Sequence, residues 1–223
     1  MHKKAFDIAA RVLGEDNEYT FAFMCELALD YSELGNLAGA EKLQVKVLHH
    51  SRMRYGENSR KSLAAISALA LTLSHMRRDE EAADLRHREL EIARRLYPAG
   101  HPEILGAQHN LATHYYNTGN YEEARQMYNE VFSRCVEVLG DDHPDALRSM
   151  SMLSSTQHRI GQRHPAIDLM RDCADKSARR LGLDHPYTAE RYRLLKEWEA
   201  EDESHEISSD EEDTTTSGGA EVN

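Results

Sequence analysis

The stretch GHPEILGAQHNLATHYYNTGNYEEARQMYNEVFSRCVEVLG, residues 100–140, decides the fold. Pro102 follows His101 where a helix can begin, because a proline at the first helical position gives up an N–H that has no intrahelical acceptor. Leu105, Gln108, Leu111, Ala112 and Tyr115 then recur at helical spacing and predict a first helix. Gly119-Asn120 breaks it. Tyr121, Ala124, Met127, Tyr128, Val131 and Val138 mark an amphipathic second helix, stopped by Gly140 at a C-cap position. Small residues at Ala112 and Ala124 let paired helices approach closely, with Tyr115 and Tyr128 filling the space beside them. The stretch reads as one antiparallel helix pair.

This unit recurs every 42 residues without a slip. Gly14, Gly56, Gly140 and Gly182 are spaced by multiples of 42, and Pro98 fills the gap. Ala40, Ala82, Ala124 and Ala166 keep the same step, as do Leu27, Leu69, Leu111, Leu153 and Leu195. A fixed period of this length signals stacked helical units rather than one globular core. The first repeat keeps Leu27-Ala28, Tyr31, Gly35 and Ala40; the second keeps Leu69-Ala70 and Ala82 but has Leu73 and Arg77 for the tyrosine and glycine. The fourth has Ser154 and Gln157 at the alanine and tyrosine positions, while Gly161 and Ala166 survive.

Residues 3–13 align with the end of a second helix, and residues 187–199 supply a last helix able to cover the fourth repeat. The expected organisation is therefore a partial repeat over 1–16, four repeats plus a capping helix over 17–198, and an acidic tail over 199–223. The tail is rich in charge and in Ser, Thr and Gly, and it cannot offset its ordering entropy, so disorder is expected there.

The net charge of −12 belongs to this tail. Residues 197–223 hold eleven carboxylates and no Lys or Arg, leaving 28 acids against 27 bases in residues 1–196. A neutral body lacks the basic surface that nucleic-acid binding requires. Cys25, Cys135 and Cys173 form no CxxC pair and fit a reducing compartment. No apolar stretch approaches the roughly 20 residues that span a bilayer, and no apolar signal region follows Met1, so no membrane partner and a cytoplasmic location are expected.

The pattern L-A-x-x-Y-x-x-x-G-x-Y-x-x-A-x-x-x-Y of residues 111–128 resembles the tetratricopeptide repeat. The period of 42 exceeds the usual tetratricopeptide spacing of about 34 residues. With the linkers Leu139-Gly140-Asp141-Asp142-His143-Pro144 and Leu181-Gly182-Leu183-Asp184-His185-Pro186, it is similar to the kinesin-light-chain type. It is equally similar to the C-terminal arrays of fungal NB-ARC or NACHT proteins. Repeats one and two depart at Asn17-Glu18 and Ser59-Arg60, where His-Pro is expected.

The resemblance implies an all-α fold, a right-handed solenoid of antiparallel helix pairs with a C-terminal capping helix. It implies a protein-interaction module that binds a peptide in a groove lined by the first helices, at the sensor or scaffold end of a larger protein. The other reading is a structural spacer, or an element self-associating through its N-terminal half-repeat. Registered to that pattern, the groove receives Cys25 and Leu29, then Ser67 and Leu71, then His109, Asn110, Thr113, Tyr116 and Asn117. Arg148, Ser151, Ser155, His158 and Arg159 continue it. The early positions are small and apolar and the later ones polar and mildly basic, so a ligand with an apolar anchor and acidic residues fits both.

Trp198, the one tryptophan, has two readings: a residue packed on the capping helix, or a groove-binding motif with its flanking acids. Ser208 and Ser209 precede Asp210-Glu211-Glu212-Asp213 and are candidate phosphorylation sites. The thirteen histidines show no metal-ligand spacing, and no GxSxG, GxGxxG or P-loop pattern occurs. Cys25 is read as a small residue filling a helix face rather than a nucleophile. The sequence thus points to no enzyme, no cofactor and no metal.

Overall fold

The computed structural model describes residues 2–15 and 17–216, with side chains as far as Asp202. Every element is an α-helix, and the described residues contain no strand. The chain divides into two compact units, residues 1–119 and 120–223.

The first unit holds α1 (His2–Leu13), α2 (Glu18–Glu33), α3 (Leu37–Tyr55), α4 (Arg60–His75), α5 (Asp79–Leu96) and α6 (Pro102–Asn117). Each helix packs on the one before it. α2, α4 and α6 are the first helices of their repeats; α1, α3 and α5 are second helices. Met24, Leu27, Leu48, Ile66, Leu69 and Ile92 bury the apolar stripe. The facing alanines Ala28 and Ala40, and Ala70 and Ala82, are sealed from water.

The second unit holds α7 (Tyr121–Leu139), α8 (Pro144–Arg159), α9 (Arg163–Leu181) and α10 (Pro186–Thr216). Leu147 and Met150 of α8 pack on Cys173 of α9. Ala166, Ile167 and Met170 of α9 pack on Leu195 and Trp198 of α10. Ser154, which replaces the repeated alanine, donates its hydroxyl to the carbonyl of Ala166 at 2.7 Å, so the eroded position is satisfied rather than broken.

The linkers have a local cause. His101, His143 and His185 each accept from the backbone N–H two residues on through Nδ1, at 3.2, 3.2 and 3.3 Å. The imidazole therefore serves as an N-cap, with Nδ1 free of a proton. In the two departing repeats Asn17 accepts from the N–H of Tyr19 at 2.9 Å and Ser59 from that of Ser62 at 3.1 Å. These residues exchange one capping acceptor for another, and the helix start survives the loss of His-Pro.

Between paired helices the chain turns through a left-handed residue: Gly35 at φ 72° and Gly161 at φ 83°. Arg77 takes that conformation in repeat two, at φ 60°, against the steric preference of a residue with a Cβ. The tail differs from expectation. α10 does not stop at 198 but continues to Thr216, since residues 187–217 contain no Gly or Pro and many straight-chain helix formers. Residues 217–223 lie outside the described residues.

Two stability outcomes follow. His143→Ala lowers the urea-unfolding free energy by about 1 kcal/mol, whereas His143→Asn stays within a few tenths because the acceptor is retained. Arg77→Gly raises it by about 0.5–1 kcal/mol, the relief of left-handed strain exceeding the added unfolded-state entropy.

Candidate functional site

The first helices carry the sequence-expected positions in each unit. In the first unit Leu29 and Leu71 stand half exposed, each 50% accessible, with Cys25, Ser67, Asn110, Thr113 and Tyr116 partly covered and Asn117 exposed. His109 differs from the expectation of a groove residue, because only 7% of it is accessible. It occupies the repeat position of Cys25 and Ser67, which are partly covered. Thr113 donates its hydroxyl back to the carbonyl of His109 at 2.9 Å. Burial pushes the Cys25 thiol pKa above its ordinary value, which leaves it a poor nucleophile.

Ser67 and Asn110 are brought together at a cavity of about 470 Å³ between α4 and α6. Small side chains, Ala64, Ser67 and Ala107, and the bare backbone of Gly106 form its walls. A Cβ on Gly106 would meet nothing within 4 Å, so intrachain packing does not require the glycine. Glu89 and Tyr97 also line the cavity. The Glu89 carboxylate accepts from Arg86 Nη1 at 2.6 Å and from Asn110 Nδ2 at 3.1 Å, and Arg86 reaches Ser67 Oγ at 3.4 Å. Both ions are buried. At the rim the Arg60 guanidinium lies 5.4 Å from the Tyr97 ring centroid, and Tyr97 stacks on His101 at 4.2 Å.

In the second unit Arg148 and Ser151 line the corresponding cavity, about 360 Å³, between α8 and α10. Leu147, Met152, Leu181 and Tyr187 make it more apolar, and Arg191 reaches it from α10. Arg148 contacts Asp145 at 3.3 Å. Ser155 is partly covered and Arg159 exposed. His158 is occupied otherwise: it stacks on Trp198 with ring centroids 4.3 Å apart and planes 11° from parallel, its Nε2 3.4 Å from Glu201. Burial is the main cause holding the His158 pKa below the usual imidazole value, against the opposing pull of Glu201. Trp198 is thereby placed in the core of its own unit, as the packing reading expected.

Leu29, Leu71, Tyr116 and Asn117 line neither cavity. Sequence reasoning missed Arg86 and Glu89, which come from a second helix, and Arg191 from the last helix. The signal was present in the register: Gln44, Tyr128 and Met170 stand where α5 has Arg86, and Val47, Val131 and Cys173 where it has Glu89. Ser208 and Ser209 lie outside the residues whose side chains are described. No three His, Cys, Asp or Glu side chains among the described residues are placed to hold a metal ion. No described helix is long and apolar enough to cross a membrane.

Profiles of the tetratricopeptide repeat match residues 20–60 and 62–103, and residues 103–176. Together they take in most of the chain, which is a tetratricopeptide-repeat protein. Among solved structures it is similar to a point variant of the kinesin-light-chain-like protein of Podosopora anserina with nearly identical TPR-like repeats. That match has a TM-score of 0.71 and 25% identity, covering 80% of this chain and 84% of the other. BtubC (BKLC) of P. vanneervenii matches at TM-score 0.71 and 16% identity, over 100% of this chain and 91% of its own. The apo form of RapI gives TM-score 0.72 at 14% identity over 86% of this chain, which spans 52% of RapI. The last two show shared fold alone. No curated protein matches the sequence.

The ion pair sets up a direct comparison. Glu89→Val alone strands a buried guanidinium and costs about 3–5 kcal/mol in chemical unfolding. Arg86→Tyr with Glu89→Val, the pair found at Tyr128 and Val131, restores wild-type stability or exceeds it.

Proposed function

We propose that the chain is a peptide-binding module whose first-helix faces grip a segment of a partner protein. Tetratricopeptide repeats mediate protein–protein interaction, and this chain carries them through most of its length. The observation that carries the finer reading is the unspent apolar surface at register positions on the first helices. Leu29 and Leu71 recur one period apart, and both remain half exposed, whereas the repeated leucines Leu27, Leu69, Leu111, Leu153 and Leu195 are buried. Two such side chains at the same position of successive repeats make an anchor row for an extended apolar segment. In the second unit the polar and cationic residues of α8, Arg148 and Arg159 among them, suit acidic residues of a partner segment. A place at the sensor or scaffold end of a larger switch protein is the context we propose, supported by the 42-residue period and the LGxxHP linkers.

One observation favours a second reading. Ile8 and Val12 on α1 are exposed, Val12 at 67%, although Ala9 beside them is buried. That strip suits self-association, which light scattering would show as a mass that grows with concentration and collapses to the monomer in Val12→Glu.

For the leading reading, the test is capture from a lysate of the source cell with wild type and with Leu29→Glu/Leu71→Glu. Both substitutions are at exposed positions, so helicity and melting stay unchanged while a discrete partner is lost. Equal recovery of the same proteins by both forms refutes the anchor row.

A further inference from the structure

Arg191 is a buried cation without a counter-ion among the described residues. Only 7% of the residue is accessible, and its one hydrogen-bond partner among the described residues is Ser177 Oγ, 2.6 Å from Nη1. The Tyr187 ring centroid lies 6.0 Å from the guanidinium carbon. A guanidinium has five N–H donors, and taking its charge out of water is costly unless an anion compensates. The fold does not demand it, for Ala65, Ala107 and Ser149 fill the same register position elsewhere.

The side chain lines the cavity between α8 and α10. The two carboxylates at that cavity are already engaged: Asp145 contacts Arg148 at 3.3 Å, and Glu190 takes two bonds of 2.6 and 3.0 Å from Arg193. Once these pairs are set aside, the unbalanced charge of the cavity is positive and sits on Arg191. Leu147, Met152 and Leu181 supply apolar walls that strengthen any ion pair formed inside. The volume of about 360 Å³ accommodates an amino-acid side chain.

We propose that this cavity is a carboxylate-binding site, and that an Asp or Glu side chain of a partner peptide pairs with Arg191. The guanidinium fork of Arg191, which lines the cavity, meets the carboxylate oxygens. The proposal rests on the peptide-binding reading above and assigns one subsite to it.

The test is fluorescence anisotropy with the full chain and a labelled acetyl-Leu-Glu-Asp-Leu-Glu-Asp-amide probe. A matched probe carries Gln and Asn, and a third is neutral with a free C-terminal carboxylate. Wild type binds the acidic probe, and Arg191→Met weakens it at least about tenfold while Arg191→Lys retains part of the affinity. Arg191→Met also melts no lower than wild type, because it removes an uncompensated buried charge; a purely structural arginine would melt lower. Equal binding of acidic and amide probes, or undiminished binding by Arg191→Met, overturns the site. Preference for the free-carboxylate probe alone overturns the side-chain assignment. Binding that strengthens tenfold in Asp210→Asn/Glu211→Gln/Glu212→Gln/Asp213→Asn would make the chain's own acids the occupant and likewise overturn it. Loss of this subsite, with capture through Leu29 and Leu71 intact, leaves the module standing.

Discussion

The separation between the two helices of a repeat governs the rest of the structure. Ala28 and Ala40, Ala70 and Ala82, and Ser154 and Ala166 are small residues at matched positions of paired helices, and all are sealed from water. Dispersion contacts fall off steeply with distance, so a larger residue would force the helices apart and forfeit contacts along their whole length. Close approach also requires a short, sharply turned connection, which is why a left-handed residue follows α2, α4 and α8. Arg77 shows the order of priorities: repeat two tolerates a strained arginine in the turn, yet keeps Ala70 and Ala82 sealed. Turn strain is local. A spread helix pair would disturb every neighbour packed upon it.

Outside that contact the repeats are free to differ, and they differ where recognition chemistry can be placed. Two cavities in equivalent register have opposite characters. The one between α4 and α6 is lined by a neutralised acid, Glu89, held by Arg86 and Asn110. The one between α8 and α10 has apolar walls and an arginine. Neither charge is needed to hold helices together, since the other repeats use Val, Cys, Ala or Ser at these places. A residue whose cost to folding is not matched by a folding role is a sound place to look for a binding role.

The helix pairs were legible because period, turn glycine and small-residue contact all have one-dimensional signatures. Leu27, Leu69, Leu111, Leu153 and Leu195 announce the stack through spacing alone. The meaning of the His-Pro linkers was not legible, since a capping hydrogen bond through an imidazole follows from backbone geometry that spacing does not reveal. His109 lies deeper than its register neighbours Cys25 and Ser67, because register gives direction but not depth. Arg86, Glu89 and Arg191 escaped a reading confined to the first helices, although each is a charge in a column otherwise filled by uncharged side chains. The helical course of α10 beyond 198 overrode a compositional expectation, because composition speaks to core burial and not to local propensity.

The stack of Trp198 on His158 has a consequence for observing this molecule. The chain contains one indole, and it lies face to face with an imidazole in the packing between α8 and α10. Its emission colour therefore reports whether the last helix is seated, and its brightness reports the protonation of the ring beneath it. The protein carries a built-in optical gauge at one helix junction, readable without a label and undiluted by any second tryptophan.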